Sequence, residues 1–211
     1  MNKIWKEAES EIIFHGDKLN IVENCVDRHA KIRPNHMAFV FEDERGRIKK
    51  YNYKQIQMHV NKFANLLNEL KIKKRSRIFI FLPKIPELYI SFLAAIKHGS
   101  IAAPLFEAFQ TDGLELRLDR GEANVFITNK DLYKRLKHKD KFKKMKIIII
   151  DSKEFKSKIK KCSDEFKAVL LNKESASIMI FTSSTAGTPV AVIEIPSYGI
   201  VQQHFTGKLV L

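Results

Sequence analysis

Apolar and polar positions along the 211-residue chain change period repeatedly, and each change marks an element. Between Leu19 and Ile32, Ile21, Val22, Cys25, Val26 and His29 recur at helical spacing and stop before Arg33-Pro34, which predicts an amphipathic helix. Met37–Phe41 reads as a strand, 42–47 as a charged turn around Gly46, and Ile48–Tyr51 as the returning strand of a hairpin. From Lys54 to Leu70, Ile56, Val60, Phe63, Leu67 and Leu70 fall four and three apart and lay one apolar stripe along a helix.

The pattern then alternates. Arg77–Leu82 is a continuous apolar run, as a central parallel strand covered on both faces requires. Pro83 and Pro86 turn the chain into a helix over 87–98 that stops at Gly99. Strands follow at 101–105, 125–128 and 147–150, separated by helices at 113–121 and 130–139; the last isoleucine run, 147–150, must be buried. Such alternation predicts an α/β fold: a parallel or mixed sheet with flanking helices, right-handed crossovers and ligands outside the carboxyl ends of the strands.

The stretch that carries chemistry lies near the end. Ser177-Ile178-Met179-Ile180 reads as a short buried strand, and it opens into Phe181-Thr182-Ser183-Ser184-Thr185-Ala186-Gly187-Thr188-Pro189-Val190-Ala191. The hydroxyls of Thr182, Ser183, Ser184, Thr185 and Thr188 can donate to anionic oxygens, and Gly187 lets the backbone come close, so the loop suits phosphate. A polar surface turn whose hydroxyls bond only their own backbone is the competing reading.

Composition adds little to the fold and more to the choice of partner. An apolar content of 45% supports a real core. Cys25 and Cys162 show no metal-ligand spacing and argue for a reducing compartment. The seven histidines are scattered. The first ten residues mix charges and form no secretory signal, while the longest apolar candidate, 88–106, is broken by Lys97, His98 and Gly99. The chain therefore reads as cytoplasmic. Its net charge of +14 would suit nucleic acid or acidic membranes. Residues 130–161 hold fourteen Lys and Arg against four Asp and Glu, a local balance of +10. They are nearly all lysine with few aromatics to stack on bases, so a solvated surface is expected there.

The loop resembles the Thr-Ser-Gly-Thr-Thr-Gly-x-Pro-Lys-Gly signature of the adenylate-forming enzymes, with Thr182, Ser183, Thr185, Gly187 and Pro189 in register. Ser184, Ala186, Val190 and Ala191 depart from it, and Val190 removes the lysine charge. Tyr51-Asn52-Tyr53-Lys54-Gln55-Ile56 is similar to the family's Leu-Thr-Tyr-x-Glu-Leu. Residues Ile96 to Leu105 are similar to its Leu-Lys-x-Gly-Ala-x-x-x-Pro-Leu. Pro104-Leu105-Phe106-Glu107-Ala108-Phe109 and Glu194-Ile195-Pro196 look closest to the acetyl-CoA synthetase branch.

The resemblance implies the N-terminal portion of the adenylate-forming fold: residues 1–211 as an incomplete nucleotide-binding domain, without the family's C-terminal domain. It implies ATP with Mg and CoA as cofactors and a small acid such as acetate as substrate. It also implies a phosphate-binding role for the matching Thr182, Ser183, Thr185, Gly187 and Pro189, beside which Ser184 and Thr188 are phosphate-binding candidates through their hydroxyls alone. No catalytic residue and no metal ligand is assigned, since the family's adenylation lysine has no counterpart here. Two rivals stand beside this reading: a non-catalytic nucleotide- or partner-binding protein on the same fold, and a basic nucleic-acid binder. Self-association is expected through an apolar edge comprising Ile178, Ile180, Ile193, Ile195, Ile200, Val201, Leu209 and Val210.

Overall fold

The computed structural model describes residues 3–182 and 188–210. In chain order its regular elements begin with α1 (Lys3–Ser10), β1 (Lys18–Leu19) and α2 (Arg28–Ile32), the last preceded by a π-helical turn at Glu23–Asp27. The hairpin β2 (Met37–Glu42) and β3 (Ile48–Asn52) leads into α3 (Tyr53–Glu69). Next come β4 (Arg77–Phe81), α4 (Pro86–Lys97), β5 (Ile101–Pro104), α5 (Thr111–Arg120), β6 (Val125–Thr128) and α6 (Lys130–Tyr133). The chain closes with β7 (Lys146–Ile149), α7 (Lys153–Lys161), β8 (Leu171–Asn172), β9 (Ile178–Thr182), β10 (Val190–Glu194) and α8 (Pro196–Val210).

The main sheet has six strands in the order β10-β9-β5-β4-β6-β7. Every neighbouring pair is parallel except the β9–β10 hairpin at one edge. Side chains alternate across it. Ile78, Ile80, Val125, Ile127 and Ile148 pack under α3 and α4, while Phe79, Phe81, Phe126, Leu114 and Leu118 form the second core under α5. A sheet buried on both faces needs continuous apolar strands, and the runs at 77–82 and 125–128 supply them.

Local chemistry sets the element ends. Asn52 caps α3 in a reciprocal box: its side chain accepts from Gln55 N at 2.8 Å, and the Gln55 side chain accepts from Asn52 N at 2.9 Å. Pro86 opens α4, and Gly99 beyond its end takes φ +82°, where a Cβ would also meet Val169 at 2.8 Å. Lys97 ends α4 inside the protein, its ammonium 2.6 Å from Asp27 Oδ1 and 2.5 Å from Asn61 Oδ1. Such a pair ties α4 to α3 and to the turn before α2.

A strap over residues 163–170 lies across the helix layer. Asn61 and Asn65 donate to the carbonyls of Asp164 (2.7 Å), Ser163 (2.8 Å) and Glu165 (2.8 Å), and Val169 N donates to Lys97 O at 3.0 Å. Beneath it His98 is fully buried, with Nδ1 2.8 Å from Ser100 Oγ and its ring beside Phe166. Burial and the nearby Lys74 charge push its imidazole down to about 4.

Several expectations need correction. The helix expected over 19–32 starts only at Ile21, because Leu19 pairs with Leu171 in a small sheet. The basic helix expected over 130–139 stops after one turn. Buried Glu115 takes the backbone N–H groups of Lys137 (2.7 Å) and His138 (2.9 Å), which draws the chain out of helical geometry. The isoleucine run is buried at Ile148 and Ile150 and half-buried at Ile147 and Ile149, as an edge strand with one wetter face requires. The apolar edge is also smaller than expected. Ile178 sits in the core, and Ile200 and Val201 of α8 are buried against Ala8, Ile12 and Leu19, with Glu11 pairing to His204 (2.8 Å) and Lys208. Ile180, Ile193 and Ile195 are exposed; the side chains of Leu209 and Val210 lie outside the described residues.

Of the fourteen basic residues in 130–161, all but Arg135 and Lys158 are exposed. They form the solvated surface expected of them, and α7 turns only Phe155 and Ile159 toward the core. No helix among the described residues is long and apolar enough to cross a membrane.

Candidate functional site

β9 brings the hydroxyl loop to the carboxyl end of a parallel strand, since Ile178 pairs with Ala102 of β5 in parallel register. The chain returns as β10, antiparallel, with Val190 opposite Thr182. The loop is therefore a hairpin connection clamped at its base by a strand pair. The return strand escaped the sequence reading, although the valine and isoleucine alternation of 190–195 is the signal that marks it.

Of the loop residues singled out, Thr182 is exposed and Thr188 half-buried at the two ends of the connection. Ser183, Ser184, Thr185 and Gly187 lie outside the described residues. Pro189 is buried and anchors the return limb, and Val190, standing where the signature has lysine, is 49% exposed.

A cation absent from the motif approaches the same limb. Arg120, the last residue of α5, donates from Nη1 to Pro189 O at 3.2 Å and has no carboxylate partner among the described residues. Its spacing gave no hint of this, because 69 residues separate the partners. Gly121, next in the chain, allows the approach: a Cβ there would meet Phe79 at 2.3 Å and Phe181 at 3.1 Å.

Two further arginines brace the segment after β5. Arg117 lies over the Phe109 ring at 3.8 Å and donates to Gly113 O at 2.7 Å; burial holds its guanidinium below the usual range. Arg135 donates to Phe109 O at 3.1 Å and to Glu107 O. Both fix the carboxyl-end loop 105–110 with charges that face inward.

Two strands along, a cavity of about 430 Å³ opens between the β2–β3 turn and residues 83–85, with Glu107 beside it. That volume is in the range of small-molecule sites. Asp43 organises the turn: Oδ1 accepts from Arg45 N and Arg47 N at 2.9 Å, and Oδ2 accepts from Arg47 Nε at 2.6 Å. Those bonds, the Arg47 backbone first among them, hold its carboxyl below the usual range. The sequence showed only a charged turn here. No cluster of three or more His, Cys, Asp or Glu side chains is placed to hold a metal among the described residues.

Hydroxyls at both ends of a hairpin connection, a nearby guanidinium with no carboxylate partner among the described residues and a parallel sheet behind them make an arrangement able to hold an anion. Comparison with known proteins matches residues 26–194 to the family described as AMP-binding enzyme. The chain is 34% identical to the acetyl-coenzyme A synthetase of Bacillus subtilis (strain 168), across 98% of this chain and 38% of that protein. It is 44% identical to the acetyl-coenzyme A synthetase of Methanothrix thermoacetophila, across 58% of this chain and 19% of that protein. The fold superposes on a Brucella canis acyl-CoA synthetase with a TM-score of 0.79 and 21% identity, over 90% of this chain and 36% of that one. An anthranilate CoA ligase solved with anthranoyl-AMP also gives 0.79, at 18% identity, over 92% of this chain and 37% of that one. The chain thus spans less than two-fifths of the length of these relatives.

Proposed function

Because the chain belongs to the AMP-binding enzyme family, we propose that it is the N-terminal nucleotide-binding portion of an AMP-forming acid–CoA ligase, with acetate as the acid. In such a ligase the acid and MgATP give an acyl-adenylate and pyrophosphate, and CoA then takes the acyl group and releases AMP. The share of that work assigned to this chain is to hold the β- and γ-phosphates at the loop between β9 and β10.

The observation that carries the reading is the position of Thr182 and Thr188 at the mouth of a hairpin connection on the carboxyl side of the sheet. Their hydroxyls, with those of Ser183, Ser184 and Thr185, would donate to phosphate oxygens, and Gly187 would let backbone amides approach. Charge is the weaker part of the fit. Val190 contributes none, so Arg120 beside Pro189 is the cation assigned to balance the triphosphate. Catalysis in a ligase of this kind is positioning plus stabilisation of charge at the transferring phosphorus, and this chain supplies positioning. Magnesium would enter with ATP rather than through a protein cage.

Calorimetric titration with MgATP tests the reading. Binding that tripolyphosphate competes away and Gly187→Pro abolishes is expected; no binding by the unaltered chain would overturn it. On its own the chain is expected to give no acetate-dependent ATP–pyrophosphate exchange. One observation favours a second reading, a non-catalytic nucleotide-binding protein on the same fold: the exposed Val190 in place of lysine. Exchange on adding the C-terminal portion of the Bacillus subtilis relative supports the ligase, and binding without exchange supports the second reading.

A further inference from the structure

Arg117 of α5 holds a buried donor that nothing satisfies: its Nε has no hydrogen-bond partner among the described residues. A buried N–H left unpaired carries its full desolvation cost, which an apolar side chain of similar length, such as methionine, would avoid. The chain thus carries an arginine where the fold alone favours an apolar residue. Its guanidinium stacks at 3.8 Å over the ring of Phe109, on the segment after β5, and lies 5.9 Å from the ring of Phe181, on β9. Nη1 donates to Gly113 O at 2.7 Å, which fixes the side chain along its own helix. Phe181 packs in turn against Phe79, with 6.0 Å between centroids, and over Gly121, where a Cβ would meet it at 3.1 Å.

Phe181 is the last apolar residue before the hydroxyl loop, and side chains alternate along a strand, so any shift of Phe181 re-aims Thr182. One helical turn beyond Arg117, Arg120 reaches the return limb at Pro189 O. α5 therefore meets both limbs of the hairpin. We propose that Arg117 is a positioning residue for nucleotide binding: its flat guanidinium, set between Phe109 and Phe181, fixes the spacing between the segment 105–110 and the end of β9, and so aims Thr182 at the triphosphate. The inference rests on the assignment of the β9–β10 loop to phosphate. Arg117 itself touches no phosphate; it acts through Phe181.

The geometry calls for a planar cation. A guanidinium offers a flat face to each ring and is attracted by both π faces, whereas an ammonium is a compact point charge that cannot brace rings on two separate elements. Arg135 clamps the far side of the same segment, donating to Phe109 O at 3.1 Å and to Glu107 O. Phe109 is thereby held by its backbone as well as by its ring, and it gives Arg117 a rigid stop against which to hold Phe181. The segment 105–110 and the base of the hydroxyl loop form one mechanical unit, with Arg117 at the joint.

Calorimetric titration of the 211-residue chain and of Arg117→Met with MgATP, beside thermal melts of both, tests this. Affinity should weaken about tenfold or more. The thermal transition should stay within about 3 °C of the unaltered chain or rise above it, because removal of the unpaired Nε offsets the lost Gly113 bond and ring contacts. Arg117→Lys, which keeps the charge without the flat face, should also lose about tenfold, and it carries the comparison if the methionine variant does not fold. Without nucleotide, the amides of Phe181, Thr182 and Ala191 should exchange about fivefold faster in Arg117→Met, with those of Phe126 and Ile127 unchanged. Equal MgATP affinity in the unaltered chain and Arg117→Met, full affinity in Arg117→Lys, or unchanged exchange at 181–182 would each overturn the proposal. So would a transition lowered by more than about 6 °C with affinity kept, the mark of a purely structural arginine. An unaltered chain that binds no MgATP overturns the phosphate assignment instead, and the exchange comparison then decides by itself whether Arg117 positions the end of β9.

Discussion

The two flanks of the sheet are built on opposite principles. Toward β7 the strands carry packed cores on their two faces, and nearly all the lysines of 130–161 are turned outward. Toward β10 the cover thins, valine and isoleucine meet solvent, and a polar loop interrupts the hairpin. The closed flank keeps the fold, and the open flank leaves apolar side chains in water. The candidate phosphate loop lies on the open side and the lysine cluster on the closed one, so net charge points away from the site.

The largest effect separating the flanks should be on stability. Phe126→Ala, at a fully buried position on β6, should cost about 3–5 kcal/mol, whereas Val192→Ala on β10 should cost under about 1 kcal/mol. Chemical denaturation of both variants measures the contrast, and equal losses would mean that β10 is packed as tightly as β6.

Acid should act next, beneath the strap just before β5. His98 is neutral when folded because its value is depressed to about 4, while the unfolded chain has an ordinary histidine near 6.5. Between those values the unfolded chain binds the extra proton, so stability is full above about pH 6.5 and falls as pH drops toward 4. The loss is on the order of 3 kcal/mol. His29 and His59, also held low chiefly by burial, act in the same direction. Thermal melts from pH 7 to 4.5 should show the decline, and His98→Gln should flatten most of it.

Much of this contrast was legible in the chain itself. The apolar runs of β4 and β6, the stripe Ile56-Val60-Phe63-Leu67 and the β2–β3 turn are local patterns, and local patterns survive folding when packing agrees with them. What escaped depended on distant partners. Glu115 stops the basic helix from 22 residues away, and residues 200–201 are covered by Ala8 and Ile12. The lysines of α7 masked a helix whose inward face is only Phe155 and Ile159. At the site, Thr182 and the loop were readable from hydroxyl spacing and resemblance, whereas Arg120 meets Pro189 only in three dimensions.

A smaller effect concerns that arginine. Arg120→Ala should weaken tripolyphosphate binding roughly three- to tenfold, about 1 kcal/mol, with little change in stability because the side chain is exposed. The smallest effect belongs to the lysine surface. Lys156→Gln and Lys160→Gln should each leave stability within about 0.5 kcal/mol. DNA should bind weakly, without sequence preference, and be released by moderate salt; tight binding to one sequence at physiological salt would move function to the closed flank.

The most direct measurement is the affinity for MgATP of the unaltered chain and of Val190→Lys, by calorimetry under one buffer. A loop that holds the triphosphate should gain about tenfold when the lysine of the family signature is restored at that exposed position. Identical affinities, or no binding by either protein, would contradict the assignment of the β9–β10 loop to phosphate.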